Sequence, residues 1–245
     1  MNTRILAAEI ADELRGILRE PSALFFSIVM PVVFFALFAF LYGGAPSGAV
    51  PTGTAMLATF GTFAVLAVVL TNPGIGVASD RERGWLRAKQ VSSVPIGVTL
   101  TAKVVAALPY AIGVLAAITA TSALLGTLQA SPAALARLWA VLVLGTLPFA
   151  LLGLAIGFQA GANATAAILN ALLFPMAVLS GLWVPLAALP EIFDQIALFL
   201  PTYHLARLAM AQLDGSAAAG HALVLVGMTA VAGMLAAVSY RRARS

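Results

Sequence analysis

Two histidines, His204 and His221, are the side chains here best suited to moving protons or holding metals near neutral pH. They stand far apart in the sequence with no partner at ligand spacing, so they read as polar residues at an interface rather than as ligands. The chain has no cysteine, which excludes disulfides and thiolate metal sites. No Gly-Lys pair occurs, so no G-x-x-x-x-G-K-[ST] loop can cradle phosphates. No His-Glu-x-x-His helix occurs either. Ser180-Gly181 could serve a nucleophile elbow, but Val178 stands where a glycine is needed. The expected protein is therefore non-catalytic, with no cofactor bound by this chain.

One segment remains chemically dense. Asp80-Arg81-Glu82-Arg83-Gly84-Trp85-Leu86-Arg87-Ala88-Lys89 is a mixed-charge, helix-prone run bounded by Pro95. It is too polar for lipid, and Trp85 and Leu86 could seat in a partner's groove. A solvated loop with a topological role is the alternative. Elsewhere, charge within the apolar runs is confined to Lys103 and Arg137, each near a run's end, where snorkelling explains it. Ion-coupled carriers usually bury acids or bases at mid-membrane. That machinery is missing, so a transport role calls for an external energy source.

The elements that must hold these residues are set by composition. Hydrophobic residues make up 62% of the chain and charged residues 9%, against about 25% charged in soluble domains. Such a chain cannot cover itself with charge, and its solvent is lipid. The net charge of +4 reads as a topology signal beside apolar spans, with no nucleic-acid partner expected. The fold class expected is an all-α membrane protein with two parts. Residues 1–21 form an amphipathic interfacial helix, and residues 22–245 a six-span domain. Leu6, Ile10, Leu14, Ile17 and Leu18 mark the apolar face of the first, with Glu9, Asp12, Glu13, Arg15 and Arg19 on the others. It is not a cleavable signal, because some twenty amphipathic residues precede the apolar run.

Apolar runs place spans at 22–42, 54–78, 96–126, 133–158, 166–184 and 218–240. Asn72-Pro73-Gly74 is read as a breaker inside the second. The charged segment occupies 79–95. Pro185, Pro190 and Pro201 punctuate 185–213, which should form one or two short helices dipping into the outer interface. Eleven cations (Arg4, Arg15, Arg19, Arg81, Arg83, Arg87, Lys89, Lys103, Arg241, Arg242, Arg244) fall on one side of this layout and two, Arg137 and Arg207, on the other. The positive-inside rule then puts both termini in the cytoplasm and requires an even number of crossings.

With this layout, the chain resembles permeases of the ABC-2 transporter family, the membrane subunits of ATP-binding-cassette exporters. Asp80-Arg-Glu-Arg-Gly-Trp-Leu with Ser92-Ser93-Val94-Pro95 resembles the family's loop after the second span. Ser180-Gly-Leu-Trp-Val-Pro185, Leu189-Pro190 and Leu200-Pro201 resemble its proline-punctuated re-entrant region. The amphipathic start, six spans and lack of a large outer domain match across essentially the whole chain. Trp85 and Ala88-Lys89-Gln90 depart from relatives that often carry small or basic residues there.

The resemblance implies that Asp80, Arg81, Glu82, Arg83, Gly84 and Trp85 belong to a coupling helix docking on an ATPase. It implies two copies of that ATPase carrying ATP and Mg, and a second permease copy as homodimer or heterodimer in the plasma membrane. A lipophilic drug, lipid or polysaccharide-type substrate would move outward, as in short drug- and antibiotic-resistance permeases. Asn72, Pro73, Asn163, Asn170 and Pro175 are candidates to line the path, since polar groups among spans face protein or a cavity; satisfying neighbouring backbone is the alternative. Gly153, Gly157 and Gly161 repeat every four residues, from which no dimer interface is inferred. The rival reading is an ATP-independent carrier or channel-like protein.

Overall fold

The computed structural model describes residues 3–19, 21–45, 48–85 and 96–244, and all regular structure among them is helical. In chain order the helices are α1 (Thr3–Leu18), α2 (Pro21–Tyr42), α3 (Thr52–Val69), α4 (Thr71–Glu82), α5 (Ile96–Leu124), α6 (Pro132–Leu144), α7 (Leu147–Gly157), α8 (Ala162–Leu179), α9 (Ile192–Ala197), α10 (Pro201–Asp214) and α11 (Ala219–Arg244). A 3-10 turn, Leu186–Ala188, precedes α9.

Among the described residues five helical segments are long and apolar enough to cross a membrane: Thr52–Glu82, Ile96–Leu124, Pro132–Gly157, Ala162–Leu179 and Ala219–Ala243. The first expected span is helical as α2, which contributes a shorter apolar stretch, Ile28–Tyr42. Thr52–Glu82 is the hub: 78% of its apolar window is buried, against 17% for α11. It packs on α2, α5, α7, α8 and α10. Its interior face carries Leu57, Phe60, Leu66 and Val69, which meet Phe35 of α2, Ile118 of α5, Leu142 of α6 and Leu169 of α8 in one core. Phe34, Phe63, Phe174 and Trp183 form an aromatic cluster beside it, with Phe63 and Trp183 edge-on at 4.8 Å.

The break expected at Asn72-Pro73-Gly74 shows one turn upstream, between Val69 and Thr71, where the amide that Pro73 lacks would have bonded. The ladder lapses at Leu70, which keeps right-handed helical angles, and the helix resumes through Pro73 to Glu82. Pro73 falls in the first turn of α4, where the amide it lacks has the least to bond. Asp80, Arg81 and Glu82 are thus the last turn of the hub helix rather than part of a loop.

The fourth apolar run, read as one span over 133–158, is two helices hinged at Gly145-Thr146. The Leu205 side chain of α10 sits directly on Gly145, where a Cβ would collide with it. The fifth run starts at Ala162 rather than 166 and ends at Leu179 rather than 184. It stops because Gly181 adopts φ 72°, with Leu182 donating to the Ala177 carbonyl at 2.9 Å and Gly181 to that of Val178 at 3.1 Å. Residues 185–213 hold the 3-10 turn, α9 and α10. The last helix packs on α3, α6 and α11 and buries Thr202, His204, Leu205 and Ala209.

Candidate functional site

The charged residues gather at one end of the bundle. Lys103 of α5 is 4% exposed, and its Nζ lies 2.8 Å from Asp80 Oδ2 and 2.7 Å from Glu13 Oε1. Three helices, α1, α4 and α5, are thereby pinned by one ammonium. Gly76, one turn before Asp80, leaves room for the lysine stem: a Cβ there would approach Nζ to 3.3 Å. Snorkelling therefore does not describe Lys103. Its charge is retained inside protein by two carboxylates, the arrangement a buried ion requires. Thr99, one turn earlier on α5, donates to Glu9 Oε2 at 3.2 Å, and Tyr110 donates to the Leu14 carbonyl at 3.3 Å. Glu9 and Glu13, expected on the solvated faces of α1, instead fasten it to α5.

Arg81 and Glu82 clamp the α7–α8 turn from both sides. Arg81 Nη1 donates to the carbonyl of Phe158, the residue that closes α7. Glu82 Oε1 accepts from the amide of Ala162, the first residue of α8, at 3.2 Å. Each charge sits where the helix dipole favours it, a cation at a C-terminus and an anion at an N-terminus. α8 has no side-chain cap of its own on Gly161, so Glu82 supplies one from another helix. Any Cβ at Gly161 would strike that carboxylate. Gln159 of the same turn donates to the Ser239 carbonyl of α11 at 2.9 Å, and Phe158 meets Tyr240 at 5.3 Å.

Gly153, Gly157 and Gly161 all turn toward the hub. A Cβ at Gly153 would meet the Leu70 carbonyl, and one at Gly157 the Gly74 carbonyl. Gly74 is in turn 2.6 Å, by its virtual Cβ, from the Gly153 carbonyl. The four-residue repeat is thus the seat of α4 on α7 within one chain.

Past Glu82 the character changes. Arg83 is exposed, Gly84 turns the chain at φ 75° with open space around it, and Trp85 is 57% exposed. Arg87, Lys89 and Ser92 to Pro95 lie outside the described residues. The six residues expected to contact an ATPase therefore divide into Asp80, Arg81 and Glu82, bonded into the bundle, and Arg83, Gly84 and Trp85, presented outward.

The candidate path residues do not converge. Asn163, Asn170 and Pro175 are exposed on α8, and Asn170 Nδ2 donates to its own helix at Ala166 O, 2.8 Å away. Asn72 is half-buried on α4 and Pro73 is buried. An open apolar groove of about 430 Å³ between α7 and α11, with Phe149, Leu152, Met228 and Leu235 in its wall, includes none of them.

Sequence reasoning missed Glu9, Glu13, Lys103 and Phe158 as members of the charged end. The i, i+4 spacing of Glu9 and Glu13 and of Thr99 and Lys103 was the available signal. It also missed that His204 and His221 meet, at 2.9 Å between their Nδ1 atoms.

No curated protein matches the chain. A family model described as ABC-2 type transporter matches residues 6–213, from α1 to the end of α10. That stretch includes the clamped end of the hub helix and the re-entrant region, and the five long apolar segments make the protein a multi-pass membrane protein. The chain belongs to the ABC-2 type transporter family, whose members are transport permeases that generally dimerise and work with an ABC ATPase.

Proposed function

We propose that this chain is the membrane half of an ATP-driven exporter, in which α4 transmits the motion of a separate ATPase into the bundle. The observation that carries this reading is the division at Glu82. Residues presented outward (Arg83, Gly84, Trp85) follow at once on three residues bonded to α5 and the α7–α8 turn, with α1 joined to them through Lys103. A force delivered at Arg83 enters the last turn of α4 directly and from there reaches four elements. ATP and Mg stay on the partner, in two ATPase copies. A second permease copy closes the path against this one, with the exposed Asn163 and Asn170 face of α8 turned toward it.

In this reading α2 is the first of six crossings, and both termini and the charged end lie on the cytoplasmic side of the plasma membrane. The cations at that end support this orientation. A lipophilic drug, lipid or polysaccharide-type substrate fits bundles whose interiors carry few charges. Among the described residues Lys103 is the buried ion that an ion-coupled carrier could use, but it sits seven residues into α5 with both partners at the same end, not at mid-membrane.

The test is affinity purification of the tagged chain from its host in mild detergent, followed by an ATPase assay of the eluate. Co-elution of an ATPase whose hydrolysis is lost in the Arg83→Glu, Trp85→Ala variant supports the reading. A chain that elutes alone and inert across several detergents overturns it in favour of a carrier or channel.

A further inference from the structure

We propose that His204 and His221 form a proton-operated latch that holds the start of α11 against α10. The hydrogen bonds fix the tautomers. His204 Nε2 lies 2.8 Å from the Leu198 carbonyl, which can only accept, so Nε2 carries the proton. A neutral imidazole has one N–H, so His204 Nδ1 is a bare acceptor. The 2.9 Å contact between the two Nδ1 atoms is therefore a bond donated by His221. His221 Nε2 is left bare. Tyr203 stands edge-on to both rings, at 5.4 Å and 5.8 Å. The pair joins three segments: the chain after α9, helix α10 and the first turn of α11.

That first turn has little else to hold it. Residues 219–224 are exposed or half-exposed, and Leu225 is the first buried residue of α11. Gly215 to Ala218, which lead into it, lie outside any helix. Twenty residues separate His221 from Arg241 on one helix, which is about 30 Å of rise and the thickness of a hydrocarbon core. The pair thus lies at the boundary opposite the charged end, and the compartment on that side supplies its protons.

Protonation acts in two unequal steps. A first proton can settle on His221 Nε2, leaving both hydrogen bonds in place. A second must take His204 Nδ1, the acceptor, which removes the bond and sets two like charges side by side. The latch is closed with no proton or one, and open with two.

The ionisable groups around it are few. Arg207 of α10 is a fixed cation one turn along the helix from His204. Arg137 of α6 bonds to the Gln212 carbonyl farther along α10, Glu191 and Asp194 lie exposed around α9, and α3 has no ionisable side chain. Burial raises the Asp214 carboxyl, but Ser216 hydrogen bonds and the Arg207 charge outweigh it and hold it below the usual range, clear of the histidine window.

Because the chain has two histidines and no more, nitrogen NMR of the full protein, histidine-labelled and in lipid nanodiscs, reads the pair directly. Two coupled macroscopic steps, rather than two independent ones, are expected. Amide exchange over residues 216–225, corrected for the intrinsic effect of pH, should quicken at least about tenfold once both steps are complete. His221→Asn keeps a donor, and its amide can turn to accept, so exchange should stay slow at both pH values. His204→Gln can keep the bond to Leu198 through its amide N–H but places no acceptor where Nδ1 stood, so exchange should be fast at both. Independent titration of the two rings overturns the pairing. Coupled titration with unchanged exchange in the parent protein overturns the latch, as does an acid response in His221→Asn equal to the parent's.

Discussion

Lys103 Nζ lies 2.8 Å from Asp80 Oδ2, and through that contact the last turn of the hub helix is fastened to α5. Glu13 completes the cluster at 2.7 Å, so two partly buried carboxylates meet at one cation. Removing the cation leaves them facing each other, whereas removing one carboxylate leaves a pair. Lys103→Met should therefore destabilise the protein by about 3 kcal/mol or more, and Asp80→Asn or Glu13→Gln by less. Adding both carboxylate changes to Lys103→Met should restore part of the loss. Thermal unfolding of the four variants in one detergent checks the order, and strict additivity would show that the three residues are not a unit.

Arg83 and Glu82 are neighbours with opposite fates, and single substitutions separate them. Glu82→Ala removes the cap on α8 and should cost about 0.5–2 kcal/mol of stability. Arg83→Glu should leave stability unchanged while reducing ATPase co-elution and ATP-dependent export. The reverse pattern would move the docking surface onto Glu82.

The seat of α4 on α7 has no room for side chains. Gly157→Val must displace the Gly74 carbonyl, which is backbone, so its cost should reach or exceed the usual 1–3 kcal/mol of overpacking. Gly227→Val on α11 meets nothing within 4 Å and should be tolerated. Yields of monodisperse protein after size-exclusion chromatography give the comparison.

Asn170→Leu tests the path. The asparagine bonds within its own helix, so its removal should leave yield and thermal stability unchanged. Export should fall if the α8 face lines the route, and unchanged export would remove Asn170 from it.

Asp214 accepts from the Ser216 amide at 2.8 Å, and its carboxyl is held below the usual range despite the opposing effect of burial. A group whose folded pKa is depressed stabilises above the unfolded value and loses that contribution as pH falls through the folded one. The turn after α10 should therefore loosen only below about pH 4, a small effect because Asp214 is exposed. Exchange of the Ser216 amide should show this acid step in the parent and not in Asp214→Asn.

Much of the architecture was legible from residue order. A 62% hydrophobic chain with 9% charge has lipid as its solvent whatever its fold, and a run such as Ile96–Leu124 is helical because lipid satisfies no backbone polar group. Pro185, Pro190 and Pro201 forbid one straight helix, and short helices follow. The clustering of eleven cations on one side of the layout was equally a property of the one-dimensional string.

Pairing was decided only in three dimensions. Lys103 looks like a snorkelling end residue until α1 brings Glu13 to it, because nothing in the spacing from 13 to 103 encodes that approach. Gly153 and Gly157 announce a close helix neighbour without naming it, and the neighbour is α4 of the same chain. Pro73 reads as a breaker, and the ladder does lapse one turn before it, yet Leu70 keeps helical angles and the axis continues to Glu82. His204 and His221 lie on separate helices, and only the fold of α10 against α11 converts two isolated imidazoles into one hydrogen-bonded pair.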